Sequence, residues 1–299
     1  MAQHHSTSAP APRKVRSLVP ADSWDSHMHV TSPDYPLAAA AAYTPSAHTL
    51  EDAMAFEHSY NIPNIVLVQP SIYGTDNACT LDALRTLGPH HGRAVVALDP
   101  SAPPPAATLR AWHEAGVRGV RLNLKSVGRL PSAAALRAEL LAYAAAIRPL
   151  GSWALQVYLG LDAVPLLEPV VPDLGVKLVV DHLGHPALPE GGEVEPRRLE
   201  GWASLLRLVE AGSTWVKVSG AYRIEGEGRL EWVGAMAREL LAVREGRRVV
   251  FATDWPHTRF EGVDVEPFVE KCVEWCDGDA EKVDRLFRAN AEELWDVKR

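Results

Sequence analysis

WALQVYLGLDAVPLLEPVVPDLGVKLVVDH, residues 153–182, passes from one apolar stretch to another through a segment of different period. WALQVYL (153–159) and VKLVVDH (176–182) are short runs rich in Val and Leu, the pattern of strands covered on both faces. Between them, DAVPLLEPVV (162–171) repeats its apolar residues at three and four positions, which predicts a helix lying on the sheet. The same alternation extends in both directions. Further strands are expected at WDSHMHV (24–30), NIVLVQP (64–70), RAVVALD (93–99), VRGVRLN (117–123), WVKVS (215–219) and RVVFATD (248–254). Helices are expected at 50–60, 79–87, 107–115, 132–148, 198–211, 230–244 and 264–276. A final helix at 280–295, with Asp279 as its N-cap, is expected to close over one end. Eight strand–helix repeats in about 275 residues match the size of a closed barrel. The predicted fold is therefore a single-domain α/β protein, a (β/α)8 TIM barrel over residues 21–299. A doubly wound open sheet is the alternative, but it would carry a glycine-rich fingerprint after the first strand, where this chain has HMHVTSPDYP.

Composition narrows the function classes. The 299 residues carry 30 basic and 38 acidic side chains, a net charge of -8 that argues against nucleic acid as a partner. Cys79, Cys272 and Cys276 fit neither a disulfide framework nor a four-thiolate zinc site, so a reducing compartment is expected. No stretch reaches the roughly 18 uninterrupted apolar residues of a membrane span, and the first residues lack a secretory apolar core. The expectation is a soluble, cytoplasmic protein with no membrane partner. Residues 1–20, rich in Ser, Pro and Ala, are expected to be a flexible tail. Nothing marks a particular subunit interface, although barrel helices can pair into a homo-oligomer.

Chemistry-bearing residues fall where strands end. Strand one ends in His27 and His29, strand six in Asp181 and His182, and strand eight in Asp254, Trp255, Pro256 and His257. Residues two apart on a strand share a face, so both first-strand imidazoles can point into one mouth. In a barrel that mouth is the carboxyl face, where catalytic groups gather. Imidazoles beside a carboxylate suit either metal binding or general-base chemistry.

These residues carry a family resemblance. WDSHMHV, YGTDNA (73–78), VRGVRLN, VVDHLGHP (179–186) and ATDWPH (252–257) together resemble the amidohydrolase superfamily, in the branch of the 2-pyrone-4,6-dicarboxylate lactonases and related sugar lactonases. The likeness spans residues 24 to 295. It implies a barrel that hydrolyses a small cyclic ester. Many members of the superfamily hold divalent metals through first-strand histidines, a fifth-strand histidine or lysine and the eighth-strand aspartate. Strand five here offers Gln156 and Tyr158 instead. Metal-free catalysis is therefore favoured, as in the lactonase branch; if a metal such as zinc is held, its ligands are His27, His29, His182 and Asp254. In the expected mechanism Asp254 takes a proton from the attacking water, while His27, His29 and His182 donate hydrogen bonds to the carbonyl oxygen.

By the same resemblance, Arg121 and Arg223 match arginines that grip a substrate carboxylate. Tyr158, Tyr43, Ser71 and Thr75 are further candidate substrate contacts, and His257, like Trp255, can stack on a planar ring. His185 stands where the branch has an arginine, and a second arginine of the fourth-strand loop has no counterpart in register, unless Lys125 or Arg129 replaces it. The expected ligand is a small lactone or cyclic carboxylate with fewer carboxylates than a pyrone dicarboxylate. Competing readings are a metal-dependent decarboxylase of an aromatic or enol acid, an amidase, and a catalytically inactive binding barrel.

Overall fold

The computed structural model describes residues 13–298. Eight parallel strands follow one another in sequence order: β1 (Trp24–Met28), β2 (Asn64–Val68), β3 (Gly92–Val96), β4 (Val117–Asn123), β5 (Ala154–Tyr158), β6 (Lys177–Val180), β7 (Thr214–Val218) and β8 (Val249–Phe251). Every pairing from β1–β2 through β7–β8 is parallel. The end of β8 returns to β1 through Asp254 N–H to the His27 carbonyl at 3.0 Å and His29 N–H to the Trp255 carbonyl at 2.8 Å. This is the expected TIM barrel. Its strands end up to three residues short of the apolar runs, which leaves Asp181, His182 and Asp254 just past the ladder.

Helices α1 (Leu50–Ser59), α2 (Ala78–His91), α3 (Ala106–Ala115) and α4 (Ala133–Ile147) occupy the positions their periodicity predicts, as do Trp202–Ala211, Glu231–Ala242 and Glu266–Glu274. Thr49 and Asp52 cap α1 reciprocally, and Ser132 caps α4. The helix expected over 162–171 does not form. A 3-10 turn at Leu161–Leu166 and a four-residue helix at Val171–Leu174 replace it. Pro165, Pro169 and Pro172 lack the N–H a continuous helix would need there, and their rings crowd the preceding turn.

The C-terminal segment closes the amino-terminal end of the barrel. Asp279 caps it by accepting from the N–H groups of Glu281 and Lys282, and helix continues through a π turn at Arg285–Ala289 to Leu294. Its last residues join Trp24, Val66, Val95, Val179, Trp215 and Val250 in an apolar cluster inside the barrel. Trp295 is fully buried there, its indole N–H donating to Ser26 Oγ at 3.2 Å. The free carbonyls at the helix end are met by Lys177, 2.6 Å from Glu293 O, and by Arg93, 3.1 Å from Trp295 O.

Of the tail expected over 1–20, residues 1–12 lie outside the described residues. From Arg13 onward the chain is packed: Lys14–Ser17 form a 3-10 turn, Val15 and Val19 are buried, and Arg13 N–H bonds to Ser59 O at 3.0 Å. Two valines supply the apolar area that the preceding residues lack. No helix among the described residues is long and apolar enough to cross a membrane.

Trp295→Ala should lower stability by about 3–5 kcal/mol, because a large ring leaves a cavity at the barrel floor. The shift in the urea unfolding midpoint measures it.

Candidate active site

Strand parity decides which side chains enter the barrel. On β5 the inward residues are Ala154, Gln156 and Tyr158; on β7 they are Trp215, Lys217 and then Ser219. The lower of each set join the apolar floor and the upper ones are polar. β1 shifts register between Asp25 and Met28, an irregularity that turns both Ser26 and His27 inward while Asp25 faces the seam with β8.

Above the apolar floor lies a buried charged layer. Lys217 Nζ donates to Gln156 Oε1 at 2.7 Å and stands 3.2 Å from His27 Nδ1 and 3.4 Å from Asp181 Oδ1. Gln156 Nε2 donates to Asp181 Oδ2 at 3.0 Å, and Arg121 approaches the same oxygen at 3.4 Å. All five side chains are buried.

Asp254 stands over this layer. Its Oδ2 accepts from Tyr222 Oη at 2.7 Å and Arg223 Nε at 2.6 Å. Its Oδ1 faces three imidazole nitrogens, His27 Nε2 and His29 Nε2 at 3.8 Å and His182 Nε2 at 4.0 Å. Asp254 and His182 both have left-handed backbone, with φ of 65° and 51°. Such strain persists only where the surroundings impose it, and it clusters at working sites. Gly220 is part of that imposition: a Cβ there would lie 3.0 Å from His182 Nδ1.

The electrostatics follow from burial and neighbours. Burial, then Lys217, depresses His27 far below the usual imidazole range. Burial, then Arg121, lowers His29 to about 4, and burial lowers His182. Burial alone would raise Asp254, but Arg223 and the three histidines outweigh it and hold the carboxyl well below its ordinary range. Lys217 is lowered to about 8 by burial, with Asp181 opposing. At neutral pH the mouth therefore holds an ionised Asp254 among three uncharged imidazoles.

Tyr43, Ser71, Arg121, Tyr158, Arg223, His29, His182 and Asp254 line one cavity at the carboxyl face; His27 is fully buried beneath that lining, its Nε2 3.3 Å from His29 Nε2. Three expected contacts lie outside that lining. Thr75 is exposed and uses its carbonyl to accept from Asn77. His185 stands behind Tyr158, with 2.7 Å between its Nδ1 and Tyr158 Oη. His257 packs against Phe56 and Tyr222, while Trp255 packs against His48 and Phe56 under the loop. Neither stacks into the cavity. Arg129 is committed to Glu139 through two bonds of 3.1 and 2.8 Å, and Lys125 is not among the lining residues.

The structure adds four residues that sequence reasoning missed: Lys217, Asp181 as an interior charge, Tyr222 and the cavity-lining Arg259. Lys217 had a readable signal, a lysine within an otherwise apolar parallel strand. Arg259 had none, because its place at the mouth depends on a left-handed turn at φ 69°. For metal binding, the ligand atoms of His27, His29 and Asp254 lie within 4.8 Å of one another, as do those of His27, Asp181 and His182.

A family model described as amidohydrolase matches residues 24–297. The chain is 31% identical over 257 residues to a 2-pyrone-4,6-dicarboxylate hydrolase of Comamonas testosteroni, covering 82% of this chain and 80% of that one. It is 28% identical over 253 residues to a 4-sulfomuconolactone hydrolase of Hydrogenophaga intermedia, covering 82% and 78%. A solved structure from Pseudomonas putida superposes with a TM-score of 0.76 at 32% identity, over 94% of this chain and 100% of its own. With the match running from the first residue of β1 to the plug of the barrel, the chain belongs to the amidohydrolase family.

Proposed function

We propose that the protein opens a small lactone bearing at least one carboxylate, by attack of water on the ring carbonyl. The observation that carries this reading is Asp254, with one oxygen immobilised by Tyr222 and Arg223 and the other facing three imidazole nitrogens. The names of the two similar hydrolases, both acting on oxygen-containing rings, support the substrate class.

In this mechanism Asp254 Oδ1 accepts a proton from water as the water oxygen bonds to the carbonyl carbon. His27 and His182 donate through Nε2 to the oxygen as it becomes negative. Ser219 Oγ, 2.8 Å from His182 Nδ1, can donate to that nitrogen and leave the ring proton on Nε2. His29 has a different part from the donor role expected of it. Its Nδ1 lies 2.7 Å from the Val68 carbonyl, an acceptor only, so the neutral ring keeps its proton there and presents a lone pair at Nε2. That lone pair orients the water's second hydrogen. When the tetrahedral adduct collapses, the ring C–O bond breaks, and the proton on Asp254 passes to the departing oxygen.

A divalent cation does not suit this donor set. Three cations, Arg121, Arg223 and Lys217, already face the two carboxylates, Asp181 and Asp254, and both hydrogen-bonding atoms of the Gln156 side-chain amide are engaged. Arg121 is the favoured anchor for a substrate carboxylate. It lines the cavity, it is buried, and its Nε has no hydrogen-bond partner among the described residues. Arg259 lines the rim of the same cavity, where His185 does not reach.

Assays of acid release from a panel of pyrone and sugar lactones test the reading directly. Asp254→Asn should reduce kcat at least about a hundredfold, and His27→Ala or His182→Ala by a similar factor. Retention of more than about a tenth of the activity in Asp254→Asn would remove Asp254 from the role of base.

Arg121→Met should raise KM for a carboxylate-bearing lactone by about tenfold to a hundredfold and leave a neutral lactone of similar shape little affected. Equal losses on both substrates would contradict the anchor.

The acid side of the pH profile carries a further expectation. The active forms are an ionised Asp254 and uncharged histidines; Asp254 is held well below its ordinary range, His27 far below the usual imidazole range, His29 is lowered to about 4 and His182 is lowered. Protonation of His29 or of Asp254 should therefore cause no drop in kcat/KM near the ordinary histidine pKa of about 6.5, and the pH–rate profile measures it.

A further inference from the structure

Lys217 is fully buried, touches no part of the cavity lining, and yet reaches the inner nitrogen of a histidine whose outer nitrogen faces the reacting site. Donors and acceptors along this line favour one arrangement. At the outer end, the Val68 carbonyl can only accept, so His29 carries its proton on Nδ1 and offers a lone pair at Nε2. That lone pair lies 3.3 Å from His27 Nε2. At the inner end, a lysine ammonium can only donate, and it stands 3.2 Å from His27 Nδ1. We infer that Lys217 is a positioning residue that fixes the proton of His27 on Nε2, making this imidazole a hydrogen-bond donor towards the cavity.

The competing arrangement has His27 give an Nδ1 proton to Asp181 Oδ1, 3.3 Å away. It would set the lone pair of His27 Nε2 against that of His29 Nε2 and turn Lys217 towards a protonated nitrogen. That arrangement would satisfy Asp181 Oδ1, which accepts no hydrogen bond, but Asp181 is not short of positive charge. Its charge is met by Lys217 at 3.4 Å and Arg121 at 3.4 Å, and its second oxygen accepts from Gln156 at 3.0 Å. The Gln156 amide agrees, since its oxygen faces Lys217 at 2.7 Å and its nitrogen faces Asp181. A doubly protonated His27 would place a second cation 3.2 Å from the lysine in the barrel interior.

The inference rests on the proposed role of His27 as donor to the carbonyl oxygen and names what makes it one. It also gives a reason, besides crowding by cations, why the donor set does not suit a metal, since an Nε2 that bears a proton has no lone pair for coordination.

The test is the histidine ring-nitrogen NMR spectrum of the whole protein without substrate, with the His27 signals identified by their loss in His27→Gln. The wild type should have its His27 proton on Nε2. A wild-type proton on Nδ1 would overturn the inference, whatever the fate of any lysine variant. In Lys217→Met the proton should move to Nδ1, where Asp181 accepts it, and kcat should fall at least about tenfold with KM within about twofold. A Lys217→Met protein that keeps the Nε2 proton would equally overturn it. Because the tautomer is read in the resting protein, a wrong choice of lactone cannot imitate a wrong assignment of the proton.

Discussion

A row of eight parallel strands becomes a barrel only where the last meets the first, and one buried carboxylate holds that seam. Asp25 accepts from the main-chain N–H of Thr253 at 3.2 Å, from its hydroxyl, and from His27 N–H at 2.8 Å. No cation faces it. Burial pushes Asp25 up to about 6, against these hydrogen bonds. Glu57, on the inner face of α1, is held well above its ordinary range by burial and by the charge of Asp25. The clamp fixes the backbone of His27 and of the residue before Asp254 with one group. Barrel closure and the spacing of base and imidazoles are consequently a single constraint.

The interior is organised in two tiers that obey opposite rules. At the amino-terminal end, tryptophans and valines fill the barrel and the C-terminal helix seals it. One alternation higher, the same strands carry Gln156, Lys217 and Asp181, where an isolated charge would cost several kcal/mol. The layer persists because every charge has an opposite within 3.4 Å and the amide of Gln156 bridges two of them. Such a layer contributes little net stability, and its value lies in orientation. Within it Arg121 lines the cavity, while Lys217, Gln156 and Asp181 lie beneath the lining.

Arg223 illustrates how tertiary context changes a role. Its place beyond β7 suggested a grip on substrate, yet its Nε lies 2.6 Å from Asp254 and its NH2 group bonds Thr258 O at 3.3 Å. One guanidinium thus orients the carboxylate and ties two loops together. Arg121 keeps an Nε with no hydrogen-bond partner among the described residues, so two arginines of similar sequence standing meet different surroundings.

Sequence alone determined the barrel, because a βα repeat is a local pattern: short Val-rich runs and three-four periodicity report what each segment buries, whatever it meets later. It also located the working end, since residues two apart on a strand share a face and the polar ones cluster at strand ends. His27, His29, His182 and Asp254 were legible for that reason. At 162–171 the apolar spacing predicts a helix, but Pro165 and Pro169 break it into short turns. Only the tertiary structure decided that Asp25 closes the seam, that Lys217 reaches His27, that His29 Nδ1 meets the Val68 carbonyl and that Arg259 rims the cavity. Each of these depends on the angle at which distant strands and loops converge, and hydrogen-bond direction is a property of pairs that no single segment carries.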